Sequence, residues 1–293
     1  MKGSGIAEPA QSGFAPAAAY DAHRPSYPEE AVQRLLEACE VAGVKGAKIA
    51  DLAAGTGKFT EILARRTEEY DIVAIEPHDG MRAQLEQKNL PRVRVLKGTA
   101  DNMPGVADES LACLIASQSF HWFANIDALK EIARTLQPAG VFGMIWNIDD
   151  YNSPKSWKIH PGWEQAMRDV IWTFEDGSPR FRHEKWRQVF EDQTASNPLS
   201  VNFTDPLFGL PLGEGRVGFT SWLPKEDLWG RLRTLSQLAI LKGEELEKVR
   251  NTFEESLRSE GTEINQDGLV AVHGRTVFFW TSKIPAEPLK RSG

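Results

Sequence analysis

Residues Lys48–Lys58 read K-I-A-D-L-A-A-G-T-G-K, and the fold turns on them. A short apolar run delivers Asp51 into a turn of small residues that closes on Gly55-Thr56-Gly57. A helical pattern of Phe59, Ile62 and Leu63 follows at once. Strand, glycine turn and helix in that order let a ligand approach the backbone and meet the amide-rich start of a helix. A second apolar run, Asp71–Ile75, ends in Glu76. An acidic side chain at that strand tip, about 20 residues beyond the glycine turn, is placed to accept two hydrogen bonds from a ribose diol. Together the two signals predict a bound nucleoside.

Outward from this core the pattern alternates. Strands are expected at Lys48–Leu52, Asp71–Ile75, Val93–Leu96, Leu111–Ala116 and Val141–Trp146. Helices are expected at Lys58–Arg65, Asp79–Lys88 and Ile126–Thr135. An earlier helix opens at Pro28-Glu29-Glu30, a proline-plus-acid start, and carries Val32, Leu35, Leu36 and Cys39 on one side. Gln137-Pro138-Ala139-Gly140 reads as a sharp stop before the fifth strand. Repeated βα units imply an α/β protein with a doubly wound parallel sheet. After Asn147 the rhythm breaks. Trp157, Trp163, Trp172 and Trp186 lie on helical segments, and Val201–Leu210 reads as a strand. Amphipathic helices at Lys225–Leu241 and Gly243–Ser259 and a strand at Thr276–Thr281 complete the chain. The expected division is a disordered segment at 1–19, a nucleoside-binding core with an N-terminal lid at 20–147, a helical cap with a late strand at 148–270, and a final strand and tail at 271–293.

Composition narrows the function classes. A net charge of −7 argues against a nucleic-acid partner, because phosphate binding needs a concentrated basic face. Two cysteines, Cys39 and Cys113, are too few for a disulfide framework or a zinc site and read as small core residues. No run approaches the roughly 20 apolar residues of a membrane span, and the N-terminus has no apolar leader. A cytoplasmic enzyme with a small-molecule partner, away from membranes, is the expectation.

The missing third glycine narrows the nucleoside. Phe59 and Thr60 stand where G-x-G-x-x-G would place it, and Asp51 would repel a diphosphate but suits a cationic group. The stretch resembles the first motif of the class I S-adenosylmethionine-dependent methyltransferases. Three further segments carry the same resemblance. Gly98-Thr99-Ala100-Asp101-Asn102-Met103-Pro104 is similar to the family's adenine-reading loop, with Thr99 where an acid often stands. Ala116-Ser117-Gln118-Ser119-Phe120-His121-Trp122-Phe123 resembles the post-strand motif of a small-molecule subgroup (methyltransferase type 11) that includes the trans-aconitate methyltransferase-like proteins. Tyr20-Asp21-Ala22-His23-Arg24-Pro25-Ser26-Tyr27-Pro28 resembles that subgroup's lid segment. The resemblance is strong over roughly 15–147 and poor over 148–270.

The family implies a Rossmann-like, doubly wound seven-stranded sheet, mostly parallel, with an antiparallel C-terminal hairpin and a helical cap over the substrate mouth. It implies S-adenosyl-L-methionine as cofactor, bound by Tyr20, Arg24, Asp51, Ala53, Gly55, Thr56, Gly57, Glu76, Pro77, Met81, Thr99, Ala100, Asp101, Ser117 and Gln118. It also implies that His121, Trp122 and Trp146 border the acceptor. His121 and Tyr20 are the catalytic candidates, and no metal is expected in the reaction. A carboxylate acceptor needs no base, whereas an alcohol or phenol would need His121 to take its proton. The expected reaction is methyl transfer to a small organic metabolite, on oxygen more than on nitrogen or sulfur. The tryptophans from 146 to 186 suggest an aromatic acceptor or simply pack the cap. A nicotinamide-dependent oxidoreductase, and a protein using the cofactor without catalysis, are the rival readings. A homodimer that seals the pocket is one arrangement of the cap.

Overall fold

The structure is a computed structural model and describes residues 26–174, 177–193 and 206–285. The segment at 1–19, Tyr20 and Arg24 lie outside the described residues, as do residues 201–205 of the expected late strand.

The alternation after α1 (Glu29–Ala38) forms as read. It runs β1 (Lys48–Leu52), α2 (Lys58–Ala64), β2 (Asp71–Ile75), α3 (Asp79–Gln87), β3 (Val93–Leu96), β4 (Leu111–Ser117), α4 (Ile126–Thr135) and β5 (Leu136–Asp149). The remainder is α5 (Trp163–Ile171), α6 (Gln188–Asp192), β6 (Gly213–Leu223), α7 (Lys225–Leu232), α8 (Ser236–Ala239), α9 (Gly243–Ser256) and β7 (Val270–Ser282). One seven-stranded sheet results, in the order β3-β2-β1-β4-β5-β7-β6. The first five strands pair in parallel, while β7 runs antiparallel to both β5 and β6. Among the described residues no helix is long and apolar enough to cross a membrane.

Successive strand residues face opposite sides of a sheet, and the core divides accordingly. Ile49, Ile72, Cys113 and Ile115 pack on one face against Leu35 and Leu36 of α1 and Phe59 and Leu63 of α2. Ala50, Val73, Leu114 and Phe142 pack on the other against Leu129 and Ile132 of α4. Strands buried on both faces explain the unbroken apolar runs. Helix starts are fixed locally. His78 accepts from the Met81 amide at 3.3 Å, and Asn125 Oδ1 accepts from the Ala128 amide at 2.9 Å.

Three expectations need correction. Of the expected Val201–Leu210, the described residues 206–210 form only an isolated bridge at Phe208, and the late strand is Gly213–Leu223. Its apolar signal is hidden because glycines occupy inward positions that aromatic rings of β7 fill. A Cβ on Gly213 would sit 2.2 Å from Trp280, and one on Gly215 would sit 2.3 Å from Phe278. The fifth strand starts at Leu136, and Gln137–Gly140 is a bulge within it. Leu111 pairs with Leu136 and Cys113 with Val141, so the extra residues loop out, with Ala139 at φ 60°. The helix expected at Lys225–Leu241 is broken into α7 and α8.

The cap has its own core. Trp163, Met167 and Ile171 of α5 pack against Leu228, Leu232, Leu238 and Phe253, and onto Val270 and Val272 of β7. Asp149, the last residue of β5, pairs with Gly274, so Val270 and Val272 extend past the carboxyl end of β5. The cap therefore sits at the edge of the sheet from which the βα turns emerge.

Candidate active site

Ligands in open α/β sheets bind outside the carboxyl ends of the strands, and the main cleft lies there. It encloses about 280 Å³. The turn after β1 contributes Ala53, Gly55 and Thr56, the turn after β2 contributes Glu76, Pro77 and His78, and α3 contributes Met81. Gly98, Thr99, Ala100 and Asp101 come from the loop after β3, Ser117 from the end of β4, and Gln118, Ser119, Trp122 and Phe123 from the segment after it. A smaller chamber of about 80 Å³ shares Ala53, Gly55, Thr56, Ser117 and Gln118 and continues to Tyr27, Lys58, Phe59, Asn147 and Asp149.

Two left-handed residues shape the junction. Ala53 has φ 57° and Gln118 φ 56°, one after each central strand. Non-glycine residues at positive φ cluster at ligand sites because the surrounding structure must hold them there. Ala54 N donates to Ile75 O at 3.0 Å and Gln118 N donates to Ile145 O at 2.8 Å, which fixes both turns to neighbouring strands. Gly57 caps α2 at φ 85°, and a Cβ there would lie 2.2 Å from Leu85 Cδ1. Only glycine meets both demands.

Glu76 ties the cleft floor together. Its Oε2 accepts from the Gly55 amide at 2.8 Å and its Oε1 from the His78 amide at 2.8 Å. Burial raises its pKa, against the lowering effect of those two amides. Each carboxylate oxygen keeps a second lone pair for a ligand hydroxyl. In the loop after β3, Thr99 Oγ1 donates to Asp101 Oδ1 at 2.6 Å, and Thr99 N donates to Asn102 O at 2.9 Å. The threonine thus buttresses Asp101, which is the acid on the cleft wall.

Asp51 is fully buried and lines neither cavity. Its Oδ2 accepts from Thr60 Oγ1 at 2.6 Å, and its Oδ1 has no hydrogen-bond partner among the described residues. Burial pushes its pKa up to about 7, opposed by the Thr60 hydrogen bond and reinforced by Glu76. Gly57 also lies off the cleft wall. Trp122 lines the cleft; His121 and Trp146 do not. Trp146 is fully buried, and its Nε1 donates to His121 Nδ1 at 3.1 Å. Indole nitrogen is a donor only, so a neutral His121 carries its proton on Nε2. That ring is set to donate a hydrogen bond, and its basic nitrogen is already engaged. Trp163 and Trp186 are core residues too.

Several wall residues escaped the sequence reading. Asn147 and Asp149 stand at the tip of β5, where the carboxyl-end rule points. Arg231 of α7, only 4% exposed, holds Asp149 through Nε to Oδ2 at 3.1 Å, and Tyr151 OH donates to the same oxygen at 2.5 Å. The cap thereby grips the rim of the second chamber.

The fit to a cofactor can be judged from these groups. The main cleft is walled by the carboxylates of Glu76 and Asp101 and, among the described residues, by no lysine or arginine. Such a wall suits a nucleoside and offers no counter-charge to a diphosphate.

Residues 49–140 match the family described as a methyltransferase domain. An uncharacterized methyltransferase-like protein of Schizosaccharomyces pombe is 29% identical over 269 residues, covering 92% of this chain and 94% of that protein. An uncharacterized methyltransferase of Mycobacterium bovis is 35% identical over 161 residues, 55% of this chain and 58% of that protein. The crystal structure of the YcgJ protein from Bacillus subtilis shares the fold, with a TM-score of 0.54 at 13% identity, covering 88% of this chain and all of that one (100%).

Proposed function

The chain belongs to the class I S-adenosylmethionine-dependent methyltransferases, and on that premise we propose that it methylates a carboxylate oxygen of a small organic acid. Its cofactor is S-adenosyl-L-methionine. In the proposed arrangement Glu76 receives the ribose hydroxyls, and Asp101 with the Ala100 amide reads the adenine. Pro77, Met81 and Trp122 supply apolar walls. Ala53, Gly55, Thr56, Ser117 and Gln118 line the passage into the second chamber, which takes the amino-acid arm. Tyr20 and Arg24 would close over that arm, Arg24 pairing with a carboxylate. Asp51 and Gly57 act beneath the turn by holding its shape.

The bound cofactor supplies an electrophilic methyl group on a sulfonium. The chain's own task is chiefly orientation and exclusion of water. His121 stands beside Trp122 and off the described cleft wall, and donation from Trp146 Nε1 to its Nδ1 leaves it no free basic nitrogen, which carries the choice of acceptor. A histidine fixed as a donor suits an anionic oxygen that is already ionised at neutral pH, and it suits poorly an alcohol that must lose a proton. A small acid also fits the trans-aconitate methyltransferase-like subgroup that the Ser117–Phe123 segment resembles. The acidic chain, with a net charge of −7, supports a small, freely diffusing cytoplasmic acceptor over a nucleic acid.

Incubation with methyl-labelled cofactor and a panel of small di- and tricarboxylic acids, phenols and amines tests the reading. Label is expected in base-labile esters of the acids. Label confined to phenols or amines, or transferred to none of the panel, would overturn it.

A further inference from the structure

His160, Glu164 and His273 meet where the segment leading into α5 crosses the start of β7. Their ligating atoms all lie within 4.8 Å of one another. The two imidazoles stack with centroids 3.5 Å apart and planes 14° apart. A buried carboxylate lies against each ring. Asp150 Oδ2 lies 3.2 Å from His160 Nδ1 and accepts the His160 amide at 3.1 Å. Glu164 Oε2 lies 3.0 Å from His273 Nδ1, while its Oε1 accepts the His273 amide at 2.6 Å.

A second observation is independent of the cluster. Asp150 is 2% exposed, its Oδ1 has no hydrogen-bond partner among the described residues, and it opens with both histidines on one hollow beside Gly218–Thr220 of β6. A buried carboxylate oxygen left unpaired is costly unless a cation or donor reaches it. Arg275 also lines the hollow, but its guanidinium lies over the Trp157 ring and donates to the Lys158 carbonyl. Glu263 adds further negative charge, 3.8 Å from His273 Nε2. Two imidazoles and a carboxylate form a donor set for a borderline first-row dication. A carboxylate behind a ligating imidazole is the usual means of fixing its orientation. The His160 side chain is 49% exposed, which leaves a way in from solvent.

We propose that His160, His273 and Glu164 bind a zinc-class divalent cation, with Asp150 orienting the His160 ring. The site is separate from the methyl-transfer cleft and does not depend on that reading. It would pin the segment after β5, which begins at the cleft rim, onto the antiparallel edge of the sheet.

The test uses the full chain without a polyhistidine tag, stripped with chelator and titrated calorimetrically with Zn²⁺ and, in parallel, Mg²⁺. One Zn²⁺ per chain is expected, with a zinc-dependent rise in the thermal midpoint and no uptake of Mg²⁺. The half-exposed His160→Ala variant should fold, bind S-adenosylhomocysteine as the wild type does, and lose at least tenfold in zinc affinity. Glu164→Gln should also lose affinity. Failure of the wild type to take up stoichiometric zinc, or equal zinc affinity in His160→Ala, would overturn the proposal.

Discussion

Asp51 and Glu76 are both carboxylates at strand tips, yet burial separates their roles. Glu76 keeps lone pairs toward the cleft, whereas Asp51 points beneath the turn to Thr60. The fold favours protonated Asp51, because burial raises its pKa from 3.8 to about 7. Its contribution is therefore fully present below the unfolded value of 3.8 and is lost as pH rises through about 7. A difference of that size corresponds to a contribution of order 4 kcal/mol. Asp51→Asn keeps an acceptor for Thr60 without the ionisation. Urea unfolding of both proteins between pH 4.5 and 8 should show the wild type losing stability relative to the variant as pH rises. Parallel pH profiles would contradict the burial argument. The sequence shows an acid at position 51, but its place off the cavity walls depends on Thr60 and the packing of α2. His121 has the same lesson: the histidine is visible in the motif, but its donor role comes from Trp146, 25 residues away.

At the scale of elements, the parallel half was legible because strands buried on both faces advertise themselves as apolar runs closed by glycine or proline. β6 was not, since Gly213 and Gly215 leave room for Trp280 and Phe278 instead of presenting side chains of their own. Gly215→Val would drive its branched side chain into Phe278 and should destabilise the protein by about 1–3 kcal/mol. Gly218→Ala is the control, because a Cβ there meets nothing within 4 Å. Denaturation midpoints measure both, and equal midpoints would show that the glycine–aromatic packing does not hold the sheet edge. The bulge at Gln137–Gly140 was misread as a stop for a related reason. Proline and glycine mark a local departure from regular pairing, but pairing resumes on either side of it.

Across the whole molecule, what could not be read from spacing is what joins distant segments. Arg231 reaches Asp149 across 82 residues, and His273 reaches Glu164 across 109. Such pairs have no signature in a single sequence, so the resemblance could imply a cap over the cleft but not the contacts that join the two. Burial makes the Arg231–Asp149 pair costly to break from one side. The cap is thus coupled to the rim of the second chamber. In the proposed arrangement the strand tips hold an adenosyl amino acid through Glu76. Titration calorimetry with S-adenosylhomocysteine and NAD, on the wild type and Glu76→Ala, measures that hold. Micromolar S-adenosylhomocysteine binding, no NAD binding, and a roughly ten- to hundredfold loss of affinity in the variant are expected. Binding of NAD in preference to S-adenosylhomocysteine, or a variant that binds as tightly as the wild type, would rule out Glu76 as the nucleoside's anchor.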